Sequence, residues 1–243
     1  MVRTLLMRGM LSGVLAAVVA FAVAYLIGEP PLERAIGFEA HAGHAAGAAA
    51  AASETAEIVS RAVQSTLGLL TGLVVLGAAV GGIFGLTFAV AQGRLGRNGP
   101  RATAAWLAAA GFVVLVLVPQ LKYPAGPPAV GSAETIGART VLYFLMLGFS
   151  VLVAVAALDL GRRLAARLGS WNATLTGLFA YAAVMTAVMH VLPSLDEVPD
   201  AFPAAVLWEF RFASLATQAA LWAALGLAFG ALTQRSLERR PVR

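Results

Sequence analysis

Six stretches without a single charged residue run through this chain, and they limit what it can fold into. They cover 9–28, 62–93, 102–121, 140–158, 168–195 and 212–234. About 20 apolar residues carry a helix across the hydrocarbon core of a bilayer, so each stretch is long enough to cross once. The two longest are too short for two crossings and a turn. Their polar ends belong at the interface: Gln64, Ser65 and Gln92 in one, Trp171 and Asn172 in the other. The sequence therefore predicts an all-α integral membrane protein, a single polytopic domain over 1–243. Its expected form is a bundle of six transmembrane helices at about 5–27, 66–90, 103–121, 140–158, 172–192 and 212–233. Composition agrees, since 60% of residues are hydrophobic and 12% charged. A soluble domain carries roughly twice that share of charge. Without cysteine, thiolate metal sites and disulfides are excluded.

Basic residues fix the expected orientation, because Lys and Arg accumulate in cytoplasmic loops. Of the 17 basic residues, 12 fall on one side: the N-terminus, the second and fourth loops and the C-terminal tail. Only Asp159 and Glu238 among the 12 acidic residues share that side. Both termini are thus predicted in the cytoplasm, in a bacterial-type inner membrane. Arg3 and Arg8 followed by an apolar run also resemble a cleavable secretory leader. The run is longer than a typical leader core, which favours a retained first span. The positive net charge is explained by this sorting, so no nucleic-acid partner is expected.

The unusual chemistry lies in the outer loops. The first, 29–61, holds Glu39, His41 and His44 and then an alanine run that fits either a helix or a tether. The second holds Lys122-Tyr123-Pro124 with Pro127 and Pro128, which suits an extended strap. The third is acidic, with Asp196, Glu197, Asp200 and Glu209. His41 and His44 are three residues apart and would share one face of a helical turn, and imidazole suits cobalt, nickel or zinc. His190 lies near the outer end of the fifth stretch, close to Asp196 and Glu197. The candidate metal ligands are therefore His41, His44, His190, Glu39, Asp196 and Glu197. Against this stands the ordinary alternative of solvated loop histidines and a hydrogen-bonded interfacial one.

Within the spans only neutral groups are available. Gln64, Ser65, Ser214 and Gln218 could line a translocation path or simply bond between helices. Clusters of arginine and small polar residues at Arg61–Thr66 and Arg211–Gln218 also give a weak internal repeat, readable as a duplication or as chance similarity of apolar sequence. Glycines four apart form a flat strip for close helix approach, and Gly72, Gly77, Gly81 and Gly85 mark the expected packing face of the second span. Asp159 should pair with Arg162 or Arg163. No phosphate-binding loop, metalloprotease helix or nucleophile elbow occurs, so an enzyme is not expected.

Several segments resemble the CbtA family of predicted cobalt transporter subunits. They are Met7-Arg8-Gly9-Met10-Leu11, Gly28-Glu29-Pro30-Pro31, Gln64-Ser65-Thr66-Leu67-Gly68-Leu69, Lys122-Tyr123-Pro124 with Pro127-Pro128, Asp196-Glu197-Val198-Pro199 with Phe202-Pro203, and Phe210-Arg211-Phe212-Ala213-Ser214-Leu215. The resemblance implies a subunit for cobalt uptake linked to cobalamin biosynthesis, with a small single-span CbtB partner. Relatives often carry a denser histidine tract where this chain has His41 and His44. The resulting expectation is a permease subunit for cobalt (or nickel) that gathers metal at its acidic, histidine-bearing outer face, with no permanently bound cofactor. The competing expectation is a non-transporting scaffold that stabilises a partner membrane protein.

Overall fold

The computed structural model describes residues 2–45, 59–94 and 98–238, except for the side chains of 42–45, 133 and 236–238. Among the described residues there is no strand, and five helices are long and apolar enough to cross a membrane. We number them α1 (Val2–His41), α2 (Arg61–Ala91), α3 (Pro100–Lys122), α4 (Ile136–Val191) and α5 (Ala204–Arg235). Backbone contacts divide the chain into two compact units. One comprises Met1–Phe112, Pro127–Ala129 and Ala201–Arg243, and the other Val113–Gly126 and Val130–Asp200.

In the first unit α1 packs antiparallel against α2 and also against α5, while α5 packs on the first part of α3. The α1–α2 contact is one of backbone on backbone. A Cβ at Gly81 would collide with the carbonyl oxygen of Gly9 and come within 2.9 Å of Gly13 Cα. At Gly77 it would strike Gly13 O and meet the Ala17 side chain at 2.9 Å, and at Gly85 it would lie 2.5 Å from Leu5 O. Two strips of glycine thus face each other, Gly9 and Gly13 on α1 against Gly77, Gly81 and Gly85 on α2. Gly72 does not belong to that strip, for nothing lies within 4 Å of a Cβ placed there. Five residues before Gly77, it sits about 140° round the helix and faces outward. Ala16, Ala17 and Ala20 continue the buried face of α1. On the α2–α5 side, Phe229 lies edge-on to Phe84 and Phe88, with ring centres 5.2 and 4.9 Å apart. Gly226 and Gly230 of α5 abut Ala108 Cβ (2.6 Å from an added Cβ) and Arg101 Cα (3.2 Å) of α3.

The second unit is built on α4, whose helical path breaks at Gly169 (φ 76°, ψ 161°). The two arms on either side fold back on each other. A Cβ at Gly177 would lie 2.9 Å from Ala157 O and one at Gly161 3.3 Å from Ala173 O. Farther along, the Ser150 and Tyr181 hydroxyls are 2.7 Å apart. Met146 and Met185 then share a buried cluster with Val118. Ser150 Oγ donates to Val114 O (2.6 Å), so Tyr181 donates to Ser150. Asp159 pairs with Arg163 one turn on, at 2.7 Å.

Three π turns interrupt the long helices: Ala24–Gly28, Gln64–Gly68 and Val113–Leu117. Two of them immediately precede proline, at Pro30-Pro31 and at Pro119. A proline ring has no N–H to donate and crowds the carbonyl one turn back, and a widened turn relieves that conflict. Because the π turn absorbs the prolines, helix continues from Glu29 to Ala45, so the described start of outer loop one is an extension of α1. At Gln64–Gly68 there is no proline. There, side chains compete for the backbone carbonyls, with Ser65 and Thr66 hydroxyls donating to Ala62 O at 3.3 and 2.6 Å and Gln64 donating to Val59 O at 2.8 Å.

Candidate functional site

His41 and His190 lie on exposed helix surface. His41 Nδ1 donates to Gly37 O at 2.5 Å, and His190 Nδ1 donates to Thr186 O at 2.8 Å. Both rings therefore use the carbonyl one turn earlier to hold the proton on Nδ1. That leaves Nε2 as the unprotonated nitrogen, the tautomer a backbone carbonyl fixes in a metal-binding imidazole. The backbone of His44 is helical, but its side chain lies outside the described residues. Glu39 is exposed, and two residues before His41 it stands about 200° round the helix, on nearly the opposite side. Among the described residues no group of three or more potential ligands converges on one point.

Asp196 is exposed, whereas Glu197 has a different task. Its carboxylate accepts from the Ser132 amide at 3.4 Å and lies 3.2 Å from Arg139 Nε, while its carbonyl accepts from Gly131 N. Tyr123 adds a bond from its hydroxyl to Pro193 O at 2.7 Å. In the second unit, then, Tyr123 and Glu197 clasp together the loops that follow α3 and α4, with one carboxylate oxygen of Glu197 beside Arg139 and the other without a partner.

Of the four neutral path candidates, Ser65 donates within its own helix, to Ala62 O, and Gln64 to Val59 O in the segment just before it. Ser214 and Gln218 are half-buried on α5.

Two ion pairs in the first unit were not anticipated by the sequence reading. Glu29 meets Arg61, and Arg34 meets Glu209. The second pair is half exposed and worth little. The first is different, because Glu29 is only 8% exposed. It stands just beyond the first apolar stretch, and Arg61 just before the second. Burial pushes the Glu29 carboxyl above its ordinary range, Arg61 pulls it back and Glu33 adds to the rise. Desolvation thus offsets much of what the pair gains. Opposite charges at the adjoining ends of two stretches were visible in the sequence, but pairing them needed the helix register that the glycines set.

A chain whose described residues form five long apolar helices and no strand, with large apolar side chains such as Phe179, Leu152, Leu227 and Trp171 exposed, is a multi-pass membrane protein. A family model described as "Probable cobalt transporter subunit (CbtA)" matches residues 2–234, and the chain belongs to that family. Comparison with curated proteins and with solved structures gave no match.

Proposed function

We propose that this chain is the permease subunit of a cobalt uptake system of the inner membrane, able to take nickel as a chemically similar ion, with six spans and cytoplasmic termini. The observation that carries the reading is the family match over nearly the whole length. The reversal at Gly169 supports two crossings by α4, and the 12-to-5 sorting of basic residues supports the orientation. In this reading His41, His44 and His190 supply imidazole at the outer face and Glu39 and Asp196 supply negative charge. Water or a small single-span partner of the CbtB type completes the ligand set. Ser65, Gln64, Ser214 and Gln218 offer oxygens for passage inward, and the delivered metal serves cobalamin biosynthesis.

Uptake of labelled cobalt by cells with and without the chain tests this directly. Deletion should reduce uptake to background. At matched membrane abundance, His190→Ala and the double variant His41→Ala/His44→Ala should each weaken capture by roughly 10-fold or more, as loss of a ligand does. Unchanged uptake in both variants removes the histidines from the path, and unchanged uptake on deletion favours the scaffold reading.

Orientation has its own test. Reporter fusions after Arg97 and Arg167 should read cytoplasmic, and fusions near Gly47 and Pro127 external. A reversed reading at any of these points overturns the topology.

A further inference from the structure

The contact between α1 and α2 changes character along its length. Toward the N-terminus of α1 it is rigid, with the backbones of Gly9 and Gly13 pressed against Gly77, Gly81 and Gly85. No side-chain movement can loosen such a contact, because almost no side chain takes part. Following the same antiparallel register toward the other end brings the π turn Ala24–Gly28 level with the π turn Gln64–Gly68. At this level the tight packing has ended. Gln64–Gly68 makes its substantial backbone contacts with its own helix, and Ala24–Gly28 makes them with its own helix and α5. Leu67 and Ile27 are 64% and 41% exposed. One step beyond the two turns, the helices are joined again, this time by two long side chains, Glu29 and Arg61.

α1 and α2 are thus clamped to each other at one end and, at the other, among the described residues, tied to each other by the Glu29–Arg61 pair across two deformable turns, while α1 there also keeps its contact with α5 through Arg34 and Glu209. π turns are weak points of a helix, where an extra residue disturbs the regular hydrogen bonding. The ion pair is also a contact of small net value, since the buried carboxylate gives up hydration to make it.

We infer that the Glu29–Arg61 pair is a releasable latch on the outer ends of α1 and α2, with the facing π turns as hinges and the glycine contact as the fixed pivot. Release lets the outer halves part while the inner halves stay in register. The device belongs to the fold and holds whatever ion the chain moves, so its test reads distances and not uptake.

The chain has no cysteine of its own, which makes paired spin labels direct to place. One pair replaces Ile27 and Leu67 at the outer end, and a reference pair replaces Leu11 and Ile83 at the pivot, all four side chains being exposed. Distances are measured by pulsed electron resonance on the full chain in lipid nanodiscs. In Glu29→Gln and in Arg61→Gln the outer distribution should broaden and shift to longer distance, while the reference pair stays as in the unmodified latch. Exchanging the charges, Glu29→Arg with Arg61→Glu, should restore the narrow outer distribution. An outer distance indifferent to both single substitutions overturns the latch. So does equal broadening of both label pairs, which would make the ion pair a general support of the fold.

Discussion

Gly81→Leu is expected to cost the protein at least about 3 kcal/mol, the upper end of the usual overpacking range. The reason is the identity of the colliding atoms. An added Cβ at Gly81 would run into Gly9 O and Gly13 Cα, which are backbone atoms of a helix and cannot rotate away. The whole of α1 would have to move, and with it the buried Ala16, Ala17 and Ala20. Native proteins are stable by only about 5–15 kcal/mol, so a loss of this size should lower both the yield of folded protein and its unfolding temperature in detergent. Gly77→Leu should behave alike. Gly72→Leu is the control, because open space surrounds that position, and it should leave the unfolding temperature close to that of the parent. If Gly81→Leu and Gly72→Leu are equally stable, the backbone contact is absent in the membrane.

Gly169→Val is expected to act on the other unit, at a cost of about 2–3 kcal/mol. At φ 76° and ψ 161° the residue occupies backbone space that is essentially open to glycine alone. A β-branched side chain there drives the backbone away from the turn and so away from the reversal that brings Ala157 to Gly177 and Ser150 to Tyr181. Labels or engineered cysteines across the two arms should lose their proximity in Gly169→Val, while Gly148→Val, on a helical glycine with nothing within 4 Å, should keep it. Unchanged cross-linking in Gly169→Val would mean that the turn needs no glycine.

Much of the architecture was legible because charge and length are local properties. Arg162, Arg163 and Arg167 punctuate two apolar runs, and the chain indeed reverses just after them, at Gly169. The four-residue glycine spacing pointed to the face of α2 that meets α1, but it also drew in Gly72, since spacing alone does not say where a strip ends. The continuation of α1 beyond its apolar stretch had no mark in the charge pattern. Two prolines normally argue for a break, and a π turn let the helix pass through them instead. The candidate site was less legible. His41 and Glu39 looked like neighbours along the sequence and stand on opposite sides of a helix. Glu197 looked like a free carboxylate, and one of its oxygens lies beside Arg139. Glu29 and Arg61, 32 residues apart, carried no local mark of their partnership. It follows only from which faces of α1 and α2 touch.

The neighbours of α1 also bear on how the protein is made. α1 packs against α2 and against α5, which is synthesised after α2, α3 and α4. Its small-residue faces must therefore wait in the bilayer, inserted but not yet docked, until α5 arrives. Insertion and assembly are thus separate stages for this protein. A nascent chain truncated before Ala204 would leave α1 without its α5 contact, an exposed seam that quality-control proteases could recognise far along the chain from the defect.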